Sequence, residues 1–134
     1  MATRGVRGAR ATPVVLDSSC WLEHFADSDR APLFARPLAA PESLIVPIIT
    51  VYEVVKRLAR ELGDEVASQA LALMHQGRII ELDLPLTLAA TRLNLPLADS
   101  LIYATTLAHG AELWTQDSHF DGLPQVRYFA KTAS

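Results

Sequence analysis

Cysteine is nearly absent from this chain. Cys20 stands alone among 134 residues, so no disulfide framework can close within the chain, and a reducing cytoplasm is the expected setting. Long apolar runs are missing too, and none approaches the ~20 residues of a membrane-spanning helix. There is no surplus of positive charge: 12 Lys and Arg stand against 15 Asp and Glu, a formal net charge of −3. That balance argues against sequence-blind coating of nucleic acid, which needs a basic surface. Neither a GxGxxG nor a P-loop occurs, which disfavours a dinucleotide binder or a P-loop nucleotidase. Cys20 and the four histidines show no zinc-ligand spacing, and HExxH is absent. No Ser-His-Asp or Cys-His arrangement is visible. A response-regulator receiver wants two adjacent acids after its first strand, whereas here Asp17 is followed by Ser18 and Ser19. No internal repeat is present.

What remains is a chain of one-domain length, half hydrophobic and one fifth charged, with enough residues for a sizeable core. Met1 to Thr12 carries Arg4, Arg7 and Arg10 but no apolar signal stretch, and is expected to be a flexible basic leader. Residues 13–134 are expected to form a single domain. Setting the leader aside leaves 9 basic against 15 acidic residues, a charge of −6.

The most informative stretch is Leu95 to Phe120, LPLADSLIYATTLAHGAELWTQDSHF. Pro96 and Asp99 mark a helix start, and Gly110 a stop. Between them Asp99 is the only charge in a segment apolar on nearly all sides, which places the helix inside the protein. Ala104 and Ala108 would let its backbone approach a sheet. Glu112 to Thr115 follows as a strand, with Asp117 just past its end.

The earlier segments read similarly. Pro13 to Leu16 predicts a buried strand ending at Asp17, then a helix carrying Trp21, Leu22 and Phe25, capped by Ser18 or Ser19. A short helix is expected over Ala31 to Ala40 and a strand over Leu44 to Val46. In the next helix Thr50 and Glu53 have capping-box spacing, and Val54, Leu58 and Leu62 mark the inward face. Asp64 to Gln76 is another helix, bracketed by Gly63 and Gly77. A strand over Arg78 to Leu82, a helix from Asp83 to Leu93 and a last strand from Val126 to Phe129 complete the pattern. Alternation of this kind implies a mostly parallel sheet with helices on both faces, an α/β fold. Ligands in such folds gather beyond the carboxyl ends of the strands. Asp17 and Asp117 lie just past strands, and Glu53 and Asp99 lie in the first turns of helices. Four acids from distant segments therefore have reason to meet.

Each acid has a local alternative. Asp17 can serve as a helix cap, Glu53 as the capping-box glutamate, Asp99 as a dipole partner and Asp117 as the cap of a one-turn helix. Convergence is what those roles leave unexplained. Clustered carboxylates repel unless something positive lies between them, and an all-oxygen set suits Mg²⁺, or Mn²⁺ as substitute. Arg57, Arg60 and Arg92 read either as phosphate contacts or as solvated helix faces, and Asp121 as a reserve acid or a turn residue.

VVLDSS, TVYEVVKRL and LPLADSLIYATTLAHGAELWTQDSHFDGL together resemble the acidic motifs of the PIN domain, and within it the VapC-type toxin of bacterial toxin–antitoxin pairs. The third motif is the specific one, and the resemblance runs from about Val14 to the last strand. It implies a three-layer α/β/α fold around a five-stranded, mostly parallel sheet. It implies a Mg²⁺- or Mn²⁺-dependent endoribonuclease acting as the toxin of a pair. The acids Asp17, Glu53, Asp99 and Asp117 would be catalytic and metal-binding, with Ser18 and Thr115 supporting them by hydrogen bonds. His119 falls where relatives carry an acidic or polar residue, and is assigned no role. The implied partners are a VapB-type antitoxin, an RNA substrate, a second copy in a homodimer, and DNA only through the antitoxin. The rival is a catalytically weak PIN fold acting as a binding module in a DNA-bound repressor complex.

Overall fold

The computed structural model describes residues 12–131. The expected leader thus lies outside the described residues except for Thr12. Among the described residues five short strands and six α-helices alternate: β1 (Val14–Leu16), α1 (Ser18–Phe25), α2 (Ala35–Ala39), β2 (Ile45–Pro47), α3 (Ile48–Glu61), α4 (Asp64–Gln76), β3 (Arg78–Ile80), α5 (Leu84–Ala90), α6 (Leu97–Ala108), β4 (Glu112–Thr115) and β5 (Val126–Tyr128). Three 3₁₀ turns intervene, at Ala31–Phe34, Pro41–Ser43 and Ser118–Phe120. No helix among the described residues is long and apolar enough to cross a membrane.

All strand pairs are parallel, as the interleaved helices require. The single five-stranded sheet is not observed. β1, β4 and β5 form a three-stranded sheet in the order β1-β4-β5, and β2 pairs with β3 alone. One isolated parallel bridge, Val14 to Leu44, joins the two. β1 and β2 each pair over their full length with their other neighbour, and between them the pairing is limited to that bridge. Through that bridge the order is β3-β2-β1-β4-β5. The chain runs outward from β1 in one direction, then returns to its other side. β1 and β4 therefore flank a switch point, where open α/β sheets leave a crevice at their carboxyl ends.

Alternation along the strands splits the core. Val14, Leu16, Val46 and Trp114 point to a cluster with Trp21, Phe34, Val54, Leu58, Ala70 and Met74. Val15, Ile45 and Leu113 point to the opposite cluster with Ile102, Tyr103 and Phe120. Helices thus cover both faces, with α1, α3 and α4 on one side and α6 on the other.

Gly77 shows why one junction is glycine: a Cβ there would lie 2.8 Å from the Leu44 carbonyl oxygen. Gly110, at φ +58°, supplies the left-handed turn after α6.

Several local expectations are corrected. Ser18 opens α1 rather than capping it, and the cap position belongs to Asp17, whose side chain makes no capping bond. α3 begins at Ile48, so Thr50 lies inside its first turn, buried, with its hydroxyl unpartnered among the described residues. The capping box therefore does not form. Leu62 falls just past the end of α3 and is 47% exposed, not inward. Ala104 is buried in a cluster with Leu86 and Ala90 of α5 and with Ile80 of β3, whereas Ala108 is exposed.

Candidate functional site

Asp17, Glu53, Asp99 and Asp117 line one cleft of about 400 Å³, together with Ser18, Ser19, Arg57, Gln116 and Lys131. β1 and β4 deliver Asp17 and Asp117 from adjacent strand ends, and their parallel register is continued by the Asp17 N–H donating to the Trp114 carbonyl at 3.0 Å. α6 contributes Asp99 from its first turn. Glu53 comes from the second turn of α3 rather than the first, because that helix starts early.

Asp17 is 8% exposed, and its carboxylate accepts a hydrogen bond from the Thr115 hydroxyl at 2.7 Å. Burial pushes its pKa up to about 6, against the opposing Thr115 bond, and the charges of Asp99 and Asp117 add to the rise. Thr115 also accepts from the Asp117 N–H at 2.9 Å, so one buried hydroxyl fixes both acids. Ser18 donates to Glu53 across 35 positions of sequence. Both supporting hydroxyls therefore do contact the acids. Asp117 accepts from the His119 N–H at 2.9 Å and caps the one-turn Ser118–Phe120 helix, so the local role and the convergence coexist in it.

Asp99 has an answer to its missing local partner. His119 Nδ1 lies 3.0 Å from Asp99 Oδ2 and 3.2 Å from Asp117 Oδ1. Burial raises the Asp99 carboxyl above its ordinary range, the Asp117 charge adds to this, and His119 opposes it. His119 is raised in turn, first by its hydrogen bond to Asp99 and then by the Asp117 charge. Ligand atoms of Asp99, Asp117 and His119 all lie within 4.8 Å of one another. The His119 contact was missed because no role attaches to its position in the motif. Its one available signal was the D-x-H spacing across a one-turn helix.

A second group also escaped the sequence. Gln116 is buried and donates to Glu23 at 3.0 Å and Ser19 at 3.3 Å, while accepting from Arg30. Arg30 donates onward to the carbonyls of Phe129 and Ala130. Burial pushes Glu23 upward, but hydrogen bonds from Ser28 and Gln116 outweigh it and hold its carboxyl below the usual range. Arg57 lines the cleft while pairing with Glu61 at 2.7 Å, and Arg60 reaches the same carboxylate at 3.7 Å. Arg92 is exposed and is not among the residues lining the cleft. Asp121 is exposed just past the one-turn helix and is also not among them.

Four carboxylates facing one cleft, two with raised pKa values, form a donor set short of positive charge, and a hard divalent cation fits it.

The PIN domain family model matches residues 14–125. Among solved structures, a toxin–antitoxin complex from Klebsiella pneumoniae aligns with TM-score 0.74 at 22% identity, over 88% of this chain and 99% of that one. VapC20 of Mycobacterium tuberculosis, a sarcin-ricin loop cleaving toxin, aligns with TM-score 0.68 at 18% identity, over 83% and 95%. DNA-bound VapBC from Salmonella typhimurium aligns with TM-score 0.67 at 13% identity, over 90% and 98%. At these identities the likeness is one of fold. No curated protein sequence matches the chain significantly. The motifs, the switch-point cleft and the match over most of its length agree: the chain belongs to the PIN-domain family and has the fold of VapC toxins.

Proposed function

We propose that this protein is a Mg²⁺- or Mn²⁺-dependent endoribonuclease that acts as the toxin of a toxin–antitoxin pair. The observation that carries the proposal is the meeting of Asp17, Glu53, Asp99 and Asp117, from four separate elements, in one cleft. These acids would hold the ion, which when bound polarises the scissile phosphate and acidifies a water. The chain's own part is placement. Thr115 fixes Asp17 and the Asp117 backbone, and Ser18 fixes Glu53. Arg57 and Lys131 stand on the cleft wall as partners for the RNA phosphates flanking the cut.

The same surface supports an antitoxin partner. A groove of about 340 Å³ runs between α1 and α3, lined by Leu22, Ala26, Leu58 and Leu62, and shares Ser19, Leu22, Arg57 and Lys131 with the acidic cleft. An apolar helix in that groove could extend an arginine to the carboxylates, which its fork pairs bidentately. With a net charge of −3, DNA contact falls to the antitoxin.

Sequencing RNA 5′ ends after brief expression without the antitoxin, beside cleavage in vitro, tests the proposal. Cleavage should require Mg²⁺ or Mn²⁺, stop in EDTA and fall by orders of magnitude in Asp99→Asn. Full activity in excess EDTA would overturn it. Intact metal binding and antitoxin capture with no cleavage of any RNA would favour the pure binding module.

A further inference from the structure

We propose that His119 is a nitrogen ligand of the metal site and makes it select Mn²⁺ over Mg²⁺; the inference rests on the reading of the acidic cleft as a metal site. The four acids are not equivalent. Asp17 and Glu53 are each tied to a hydroxyl, Thr115 and Ser18 respectively. Asp99 and Asp117 instead face an imidazole nitrogen. Nδ1 contacts Asp99 at 3.0 Å through a hydrogen bond and Asp117 at 3.2 Å, separations that match the roughly 3 Å edge between adjacent ligands of an octahedral ion with bonds of about 2.1 Å. A bound ion would therefore take the place of the Nδ1 proton, which is released to solvent. The three donors also fit within 4.8 Å of one another, as ligands of one ion must.

The ring is presented from a fixed base. Asp117 caps its one-turn helix, and the neighbouring Phe120 is fully buried. The His119 side chain itself is 57% exposed, which leaves room for an ion's remaining water ligands. Mg²⁺ takes oxygen donors almost exclusively, whereas imidazole nitrogen suits later divalent ions of the first transition row. His119 is not itself among the residues lining the cleft, but its Nδ1 meets two of the acids that do, and an N,O,O corner beside the other carboxylates biases the choice of ion without changing the acids.

The experiment uses Mn²⁺ itself as probe, on wild type, His119→Ala, His119→Gln and Asp99→Asn. Free Mn²⁺ is titrated by electron paramagnetic resonance, Mg²⁺ competes for the site, and pulsed measurement reads ¹⁴N coupling to the bound ion. Wild type should show directly coordinated ¹⁴N and bind Mn²⁺ more tightly than Mg²⁺. Both His119 variants should lose the ¹⁴N signal and, for Ala, about tenfold or more in Mn²⁺ affinity, with Mg²⁺ affinity little changed. Circular dichroism should show each variant folded. Mn²⁺ bound to wild type without ¹⁴N coupling, or with equal affinity in His119→Ala, overturns the role of His119 and leaves the metal site standing. No Mn²⁺ or Mg²⁺ bound by wild type, with no effect of Asp99→Asn, overturns both.

Discussion

Asp17 is the residue in which folding and function oppose each other most directly. Its carboxyl is raised in the folded state from 3.8 to about 6, chiefly by burial. Stability tied to that proton is therefore full below the unfolded value and is lost as pH rises through about 6. The amount is at most about 3 kcal/mol for a shift of roughly two units. In EDTA, Asp17→Asn keeps an acceptor for Thr115 and stays neutral. The difference in urea stability between variant and wild type should grow in the variant's favour from pH 4 to 7.5; a pH-independent difference would deny the desolvated charge. Asp99→Asn tests the neighbouring acid. In EDTA it should melt above wild type, while Mg²⁺ should raise the wild-type Tm more than the variant's. If Asp99 only faces its helix dipole, the substitution should be neutral or slightly destabilising and the metal response unchanged. That Asp99 needs a partner was legible from a helix otherwise free of charge. That the partner is His119 was not, because the contact is made across two elements.

Elements bounded by glycine or proline were legible nearly to the residue. α4 fills the interval between Gly63 and Gly77, and α6 lies between Pro96 and Gly110. The starts of α1 and α3 were not, since both follow strands directly and neither has a side-chain cap to announce it. Capping signals in Ser18, Ser19 and Thr50 pointed one, two and three residues too late for that reason. The Gln116 network was hidden differently: its partners Arg30 and Glu23 lie 86 and 93 positions away. It ties α1 to the end of β4 and the strand beyond. Gln116→Ala should destabilise by about 1–3 kcal/mol in urea unfolding, as a buried polar cluster loses its centre. Glu23 is depressed in the folded state, so its contribution is present above the unfolded pKa and lost as pH falls through the folded one. Without Gln116 that acid-range loss should shrink. A variant as stable as wild type at every pH would reduce the network to a surface contact.

At the scale of the molecule, the meeting of four acids was legible because topology alone brings strand ends and helix starts to one edge. The break in the sheet was not, because no residue pattern in β1 or β2 marks that their pairing shrinks to a single bridge. That break gives the protein a seam. On one side stand β1, β4 and β5 with Asp17 and Asp117; on the other stand β2 and β3, with Glu53 on the helix that β2 feeds. One backbone bridge crosses it, and the Ser18–Glu53 hydrogen bond spans the cleft above. A cation shared by acids from both banks would act as a rivet. Hydrogen exchange should show it: Mg²⁺ or Mn²⁺ should slow the amides of β2, β3 and the first turns of α3 more than those of β4, and Glu53→Gln should abolish the difference. Equal slowing across both sheets would mean that the ion grips one bank alone. If the proposed cation binds both banks, the scarcity of strand pairing across the seam would make its occupancy a clamp on the fold, and a cell that starves the protein of metal would slacken the molecule along the line where its acids meet.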